Sequence, residues 1–462
     1  MRGARPPFRF APRTLAALLW LLAMIVGLGS TPFLSSRSWA QEQASPTPAS
    51  ASEPTPTPAA TPEVITSEAP LDPMAATEVY LARVPADARA RSDAYFEGGY
   101  WLQLWNYLLS AVIALVLLFT RLSARLRDVA ERITRFRALQ TALYWCQYLL
   151  VTTLLGFPLA VYQGWYREHQ YGMSNQTFAA WATEQEIGLC LGLIGGALAM
   201  MVLYAVLRRA PRTWWLWGAL AAMAFLVISA LIGPVFISPL FNKYTTLDDP
   251  KLRDPILSLA RANGIPAENV YVVDESKQTK RISANVSGLF NTTRISLNDN
   301  LLNRCSPAEI EGVMAHEMGH YVLHHGYILI AGFSFFILLG FLFVKATFAG
   351  AVARFGSRWG LRGPVSDLAA LPLFGLLFST FFLLATPLTN TLVRTVEAEA
   401  DIFGLNAARQ PDGMSEAFLK LGEYRKLSPG PMEEFIFFDH PSGRSRIFMA
   451  MRWKAQQKPP PP

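Results

Sequence analysis

The chain has 462 residues, 52% of them hydrophobic and only 16% charged, against the ~25% charged residues usual in soluble globular proteins. The deficit lies in long apolar runs, which excludes an ordinary soluble domain and reads as a membrane protein. The formal net charge of +7 does not argue for a nucleic-acid partner, because the basic residues sit as short Arg clusters between apolar runs, the pattern of topology determinants.

At the N-terminus Arg2, Arg5, Arg9 and Arg13 precede the apolar stretch Leu15–Leu28, and Ser38-Trp39-Ala40 offers small residues to a signal peptidase. Residues 1–40 are therefore expected to be a signal peptide, or an anchor helix if uncleaved. Residues 41–99 read as a tether and pre-membrane segment. Within it, Gln41–Val64 is dominated by Pro, Ala, Ser and Thr, cannot bury a core, and is expected to be disordered.

Six runs of membrane length follow, roughly Trp101–Thr120, Leu143–Tyr162, Ile187–Leu207, Trp214–Phe236, Tyr327–Val344 and Leu368–Leu388, each near the ~20 residues a helix needs to cross the hydrocarbon. Pro158 and Pro234 lie near the ends of their runs, where a freed carbonyl can find water or protein. The first four runs make a membrane domain over 100–241, and the last two a pair over 327–392. Between them, 242–326 has the composition of a folded domain, with "VYVVDES" (Val270–Ser276) and "TRISLND" (Thr293–Asp299) reading as short strands. Residues 393–462 form a second polar part ending in a frayed tail. Cys146, Cys190 and Cys305 imply neither a disulfide framework nor a cysteine metal knot.

"CSPAEIEGVMAHEMGH" (Cys305–His320) predicts a helix with Ser306 as N-cap, Pro307 at the first position and Glu309 as the capping-box partner. On that helix His316 and His320 stand one turn apart on one face and can aim at a single ion, with Glu317 beside them as a base for a metal-activated water. Gly319 costs the helix about 1 kcal/mol relative to Ala, which points to close packing there. His324 and His325 lie too far along to complete the site and read as interfacial or outer groups. A third ligand is sought in "RTVEAEADIFGL" (Arg394–Leu405), where Glu397 and Asp401 share a helix face and Glu399 points elsewhere.

Together these segments resemble the type I CAAX prenyl protease family of membrane-integrated zinc metallopeptidases. The resemblance rests on His-Glu-x-x-His and also on "GPVFISPLFNKYTTL" (Gly233–Leu247), "FPLAVYQGWYREHQYGMSNQT" (Phe157–Thr177), "RTVEAEAD" and "HPSGRSRI" (His440–Ile447). It covers about Trp101 to Met451. It implies one Zn2+ held by His316, His320 and Glu397, with Glu317 catalytic. Asp401 would support a ligand, as would Arg394, one orienting it and the other pairing with an acid. His440 and Arg446 would help bind substrate and steady the oxyanion, a role that chemistry of this kind requires of some donor. In "KRISANVSGLF" (Lys280–Phe290) Ser283 stands at the family's Asn position and Asn285 two residues on. Both are expected to lie against the substrate backbone on an edge strand, and the departure leaves substrate preference open.

The expectation is thus a mainly α, polytopic membrane protein with a zincin-like α+β domain. It would be an endopeptidase for membrane-associated proteins or peptides, possibly lipid-modified, or a dedicated peptide-maturation protease. A scaffold or transporter with a dead site is the other class, against which the intact His316, Glu317, His320 and Glu397 speak. Counting Lys and Arg in the short loops puts the N-terminus and every Arg-rich loop inside. The site residues then share the opposite, extracytoplasmic compartment of a bacterial inner membrane, the alternative being the cytosolic face usual for the family.

Overall fold

In the computed structural model, which describes residues 71–287 and 293–457, all six apolar runs are helical. The expected signal segment, the tether Gln41–Val64 and the last five residues of the tail lie outside the described residues. Among the described residues six segments are long and apolar enough to cross a membrane: Ala86–Phe119, Arg137–Gln170, Phe178–Arg209, Trp214–Leu240, His325–Trp359 and Leu368–Ala408.

The pre-membrane segment is helical. Helix α1 (Pro73–Ala82) starts at Asp72, whose carboxylate accepts the Met74 N–H at 2.9 Å. Helix α2 (Ala86–Phe119) begins well ahead of the apolar run at Trp101, because its Ala- and Arg-rich first turns favour helix without being hydrophobic. The Arg-rich connection after it also folds, as the amphipathic helix α3 (Leu122–Ile133). Arg127 is buried there, its Nη1 3.0 Å from both Asp367 carboxylate oxygens. Three more membrane helices follow: α4 (Arg137–Val161), α5 (Phe178–Arg209) and α6 (Trp214–Ile232). Helices α4 and α6 both relax into π-turns, at Tyr162–Tyr166 and Gly233–Ile237. Pro158 and Pro234 lack the N–H that the regular ladder needs, and the local register shifts to accommodate them.

The polar domain is a four-stranded sheet with helices. Strand β1 (Tyr244–Thr246) is followed by α7 (Pro250–Ala262), then β2 (Val270–Val273), β3 (Ala284–Ser287) and β4 (Arg294–Asn298). Their order is β1-β2-β4-β3, with β2 and β4 parallel and the outer pairs antiparallel. The two strands expected from sequence are the inner pair. The outer strands carry little hydrophobic signal, and β3, the expected edge strand, is an edge. After α8 (Asp299–Arg304) comes α9 (Pro307–Val322), with the full Ser306/Glu309 capping box in place. It buries Ile310, Met314 and Met318 against Val270, Ile295 and Leu297 of the sheet.

Helices α10 (His325–Trp359) and α11 (Leu371–Ala408) complete the membrane part. Their shared core with α4, α5 and α6 includes Phe341, Phe348, Tyr144, Tyr204 and Trp214. Glu397 stands 26 residues beyond Leu371 on α11, about 39 Å at 1.5 Å per residue, so this one helix runs from the Arg-rich end to the polar domain. The chain closes with α12 (Pro411–Leu421), α13 (Pro431–Phe437) and α14 (Gly443–Gln457). The last packs Ile447, Ala450 and Met451 against Leu81 of α1.

A buried polar cluster ties the membrane helices to the sheet. Tyr95 Oη donates to Glu168 at 2.7 Å, and Arg281, just before β3, reaches both Tyr95 Oη and Glu168. The Ser174–Thr279 bridge runs beside it.

Candidate metal centre

The site forms where α9 crosses α11. Two glycines allow the close approach: a Cβ on Gly319 would lie 3.2 Å from Ala400 Cα, and one on Gly404 would lie 3.1 Å from the His316 backbone nitrogen. The packing reason expected at Gly319 is therefore present, and Gly404 matches it from the other helix.

His316 and His320 project from successive turns of α9 with their Nε2 atoms 3.1 Å apart. Glu397 on α11 meets them, Oε2 3.3 Å from His316 Nε2 and Oε1 3.5 Å from His320 Nε2. One donor atom from each residue falls within 4.8 Å of the others. Two imidazoles and a carboxylate are the donor set of a hydrolytic zinc site.

The electrostatics match a cation. Burial pulls His316 down, but hydrogen bonds to Asp401 and Glu397 outweigh it and lift its pKa to about 10. Burial and the neighbouring His316 lower His320 to about 3. A metal ion on His316 Nε2 would compete with the proton that the upward His316 shift favours. Glu317 is half-buried, and burial raises its pKa to about 7 despite the opposing charge of His316. That is the range in which a carboxylate can both take and return a proton at neutral pH.

Asp401 Oδ1 lies 2.9 Å from His316 Nδ1. Arg446 Nε donates to Asp401 Oδ2 at 2.7 Å, and its guanidinium stacks 4.1 Å above Phe418. Its Nη2 also lies 3.5 Å from His316 Nδ1, so Arg446 touches both Asp401 and the imidazole. Arg394 neither bonds Glu397 nor pairs with an acid. It donates to the carbonyls of Glu434, at 3.0 Å, and Phe438, and to Thr391 Oγ1 at 2.8 Å. Through these carbonyls it anchors the loop that carries His440. His440 itself reaches the site, its Nε2 3.2 Å from Glu397 Oε2. Ser283 hydrogen-bonds through its backbone to Asn298, and Asn285 is exposed on the edge strand β3, which packs on α9.

His324 and His325 do not continue α9. The helix stops at Val322, His324 turns left-handed (φ 59°), and α10 starts at His325. The break returns His325 to the site, where its Nδ1 lies 2.9 Å from His320 Nδ1 and its Nε2 3.2 Å from Glu399 Oε2. Regular helical spacing hides this contact.

Comparison with known proteins agrees with the geometry. Residues 75–243 match the model described as CAAX prenyl protease N-terminal, five membrane helices, and residues 246–454 match peptidase family M48. The metalloprotease YhfN of Bacillus subtilis is 34% identical over 334 residues, 72% of this chain and 78% of that protein. The chain belongs to peptidase family M48. It is a multi-pass membrane metalloendopeptidase acting on proteins or peptides. CAAX prenyl protease 1 of Saccharomyces cerevisiae is 35% identical over 177 residues, a match that spans 39% of the yeast protein. The crystal structure of S. mikatae Ste24p superposes with a TM-score of 0.68 at 21% identity, over 82% of this chain and 95% of that one, a likeness of fold. Where the M48 N-terminal description counts five membrane helices, the described residues in 75–243 hold four long enough to span.

Proposed function

We propose that this M48 peptidase holds one zinc ion through His316, His320 and Glu397 and uses Glu317 as its general base. The observation that carries the reading is the convergence of the two Nε2 atoms and the Glu397 carboxylate, with Glu317 half-buried next to His316. Bound zinc would supply Lewis acidity, polarising the scissile carbonyl and making a water molecule more acidic. Glu317 takes the proton from that water as its oxygen adds to the carbonyl carbon. The C–N bond then breaks, and Glu317 returns the proton to the leaving amine. Asp401, held by Arg446, keeps His316 facing inward. His440, on the loop pinned by Arg394, stands at the Glu397 side of the open position, where a donor can meet the developing oxyanion.

The substrates are membrane-associated proteins or peptides, lipid-modified ones among them. The name of the yeast relative favours that class, and the exposed Asn285 on β3 offers an edge to an extended peptide. The site faces the extracytoplasmic side of a bacterial inner membrane. Supporting this, the Arg-rich connections 121–137, 208–213 and 354–362 all lie at the far end of the membrane helices from His316 and Glu397. The metal assignment is tested by zinc content. His316→Ala should lose most of the ion. Glu397→Ala with stoichiometric zinc and full turnover would remove the third ligand from the scheme.

A further inference from the structure

Each imidazole of the metal pair has a second nitrogen, and what it bonds decides whether the first is free for an ion. His316 Nδ1 faces the Asp401 carboxylate. His320 has no carboxylate there. Its Nδ1 faces His325 Nδ1 at 2.9 Å, and the other side of His325 faces Glu399 Oε2 at 3.2 Å. His325 is 1% exposed, whereas the Glu399 side chain is 53% exposed.

We infer that His325 and Glu399 form a relay that locks His320 in the tautomer able to bind metal. The direction follows from donor chemistry alone. A carboxylate only accepts, so the proton between His325 and Glu399 sits on His325 Nε2. In neutral His325 that leaves Nδ1 as an acceptor, and the proton between the two rings sits on His320 Nδ1. His320 Nε2 then keeps its lone pair, and this is the atom pointing at His316 and Glu397. Reversing any one bond would put a proton on His320 Nε2 and block the ion. The break at His324 exists in the chain where this contact requires it, since an unbroken helix would carry His325 off the His320 face. His325 is a positioning residue, and Glu399 sets its polarity from the surface.

The inference rests on the zinc site proposed above. The experiment measures zinc affinity by chelator competition in the full chain, for wild type, His325→Phe, His325→Asn and Glu399→Ala. His325→Phe keeps the ring's bulk but accepts nothing, and should bind zinc about 10–100-fold more weakly. Asn places an oxygen near the lost Nδ1, so His325→Asn should recover part of that loss. Glu399→Ala, at an exposed side chain where folding is not at risk, should cost about 2–12-fold, the worth of one hydrogen bond. His325→Phe within twofold of wild type, or His325→Asn no better than His325→Phe, overturns the relay. If His325→Phe does not fold, unchanged affinity in Glu399→Ala overturns it instead. Wild-type protein that binds no zinc would fail the metal reading itself, a result distinct from either of these.

Discussion

The Asp401 carboxylate is shared: Oδ1 lies 2.9 Å from His316 Nδ1, and Oδ2 accepts from Arg446 Nε at 2.7 Å. The acid fixes the imidazole and the guanidinium fixes the acid, all three buried where α9, α11 and α14 meet. Asp401→Asn keeps the shape but removes the charge that both partners use. Zinc affinity should fall about 10–100-fold, read by chelator competition. Unchanged affinity would remove Asp401 from the support of His316.

Zinc binding should release protons. His316, lifted to about 10, carries a proton in the metal-free protein at pH 8, and an ion on Nε2 must displace it. Calorimetry in buffers of different ionisation heat should find roughly one proton lost from this residue per ion at pH 8. The sign follows: a proton competes with the metal, so affinity weakens as pH falls, by about tenfold per unit below the His316 value. Affinity that does not vary between pH 8 and pH 9 would contradict the charged His316.

Gly404 is the tight point of the helix crossing, because its Cβ would meet His316 backbone, which cannot rotate away. Gly404→Ala should destabilise the detergent-solubilised protein by about 1–3 kcal/mol through overpacking and weaken zinc with it. Gly350→Ala, on α10 with nothing within 4 Å of the new methyl, should leave the melting temperature unchanged or raised. Equal effects at the two positions would mean that the crossing is not the constraint.

The long-range plan was legible in the sequence because hydropathy, capping chemistry and the His-Glu-x-x-His spacing are local signals. Six spans, the Ser306 cap and the inner strands β2 and β4 all follow from them. Glu397 and Asp401 were found by helical spacing together with family resemblance. What escaped depends on tertiary placement. Arg394 and Glu397 are helical neighbours, yet the long Arg394 side chain is taken up by the carbonyls of Glu434 and Phe438 at the His440 loop, partners that only tertiary packing supplies. Arg446 is turned to Asp401 by the packing of α14, which no spacing encodes. His325 returns to His320 only because His324 adopts φ 59°, a conformation uncommon outside glycine. Glu399 points away from Glu397, as helical spacing implies, and it is this turn that brings it onto His325.

Sidedness is open to direct labelling. In a background without the three native cysteines, Lys277→Cys in the polar domain and Arg135→Cys beyond α3 place thiols at exposed positions at opposite ends of the membrane helices. In intact spheroplasts a membrane-impermeant thiol reagent should label the first and spare the second. The reverse pattern would put the site in the cytoplasm and leave the Arg-rich loops facing out.

The proton transfer proposed for Glu317 takes place at a zinc ion that Glu317 does not hold. Peptide hydrolysis by Glu317→Gln protein, assayed on samples verified to carry zinc, tests it most directly. Wild-type zinc content is expected, with turnover reduced by about 10²–10⁴-fold, the usual worth of a general base. Turnover near wild type with zinc retained would contradict it, because the proton would then have another acceptor.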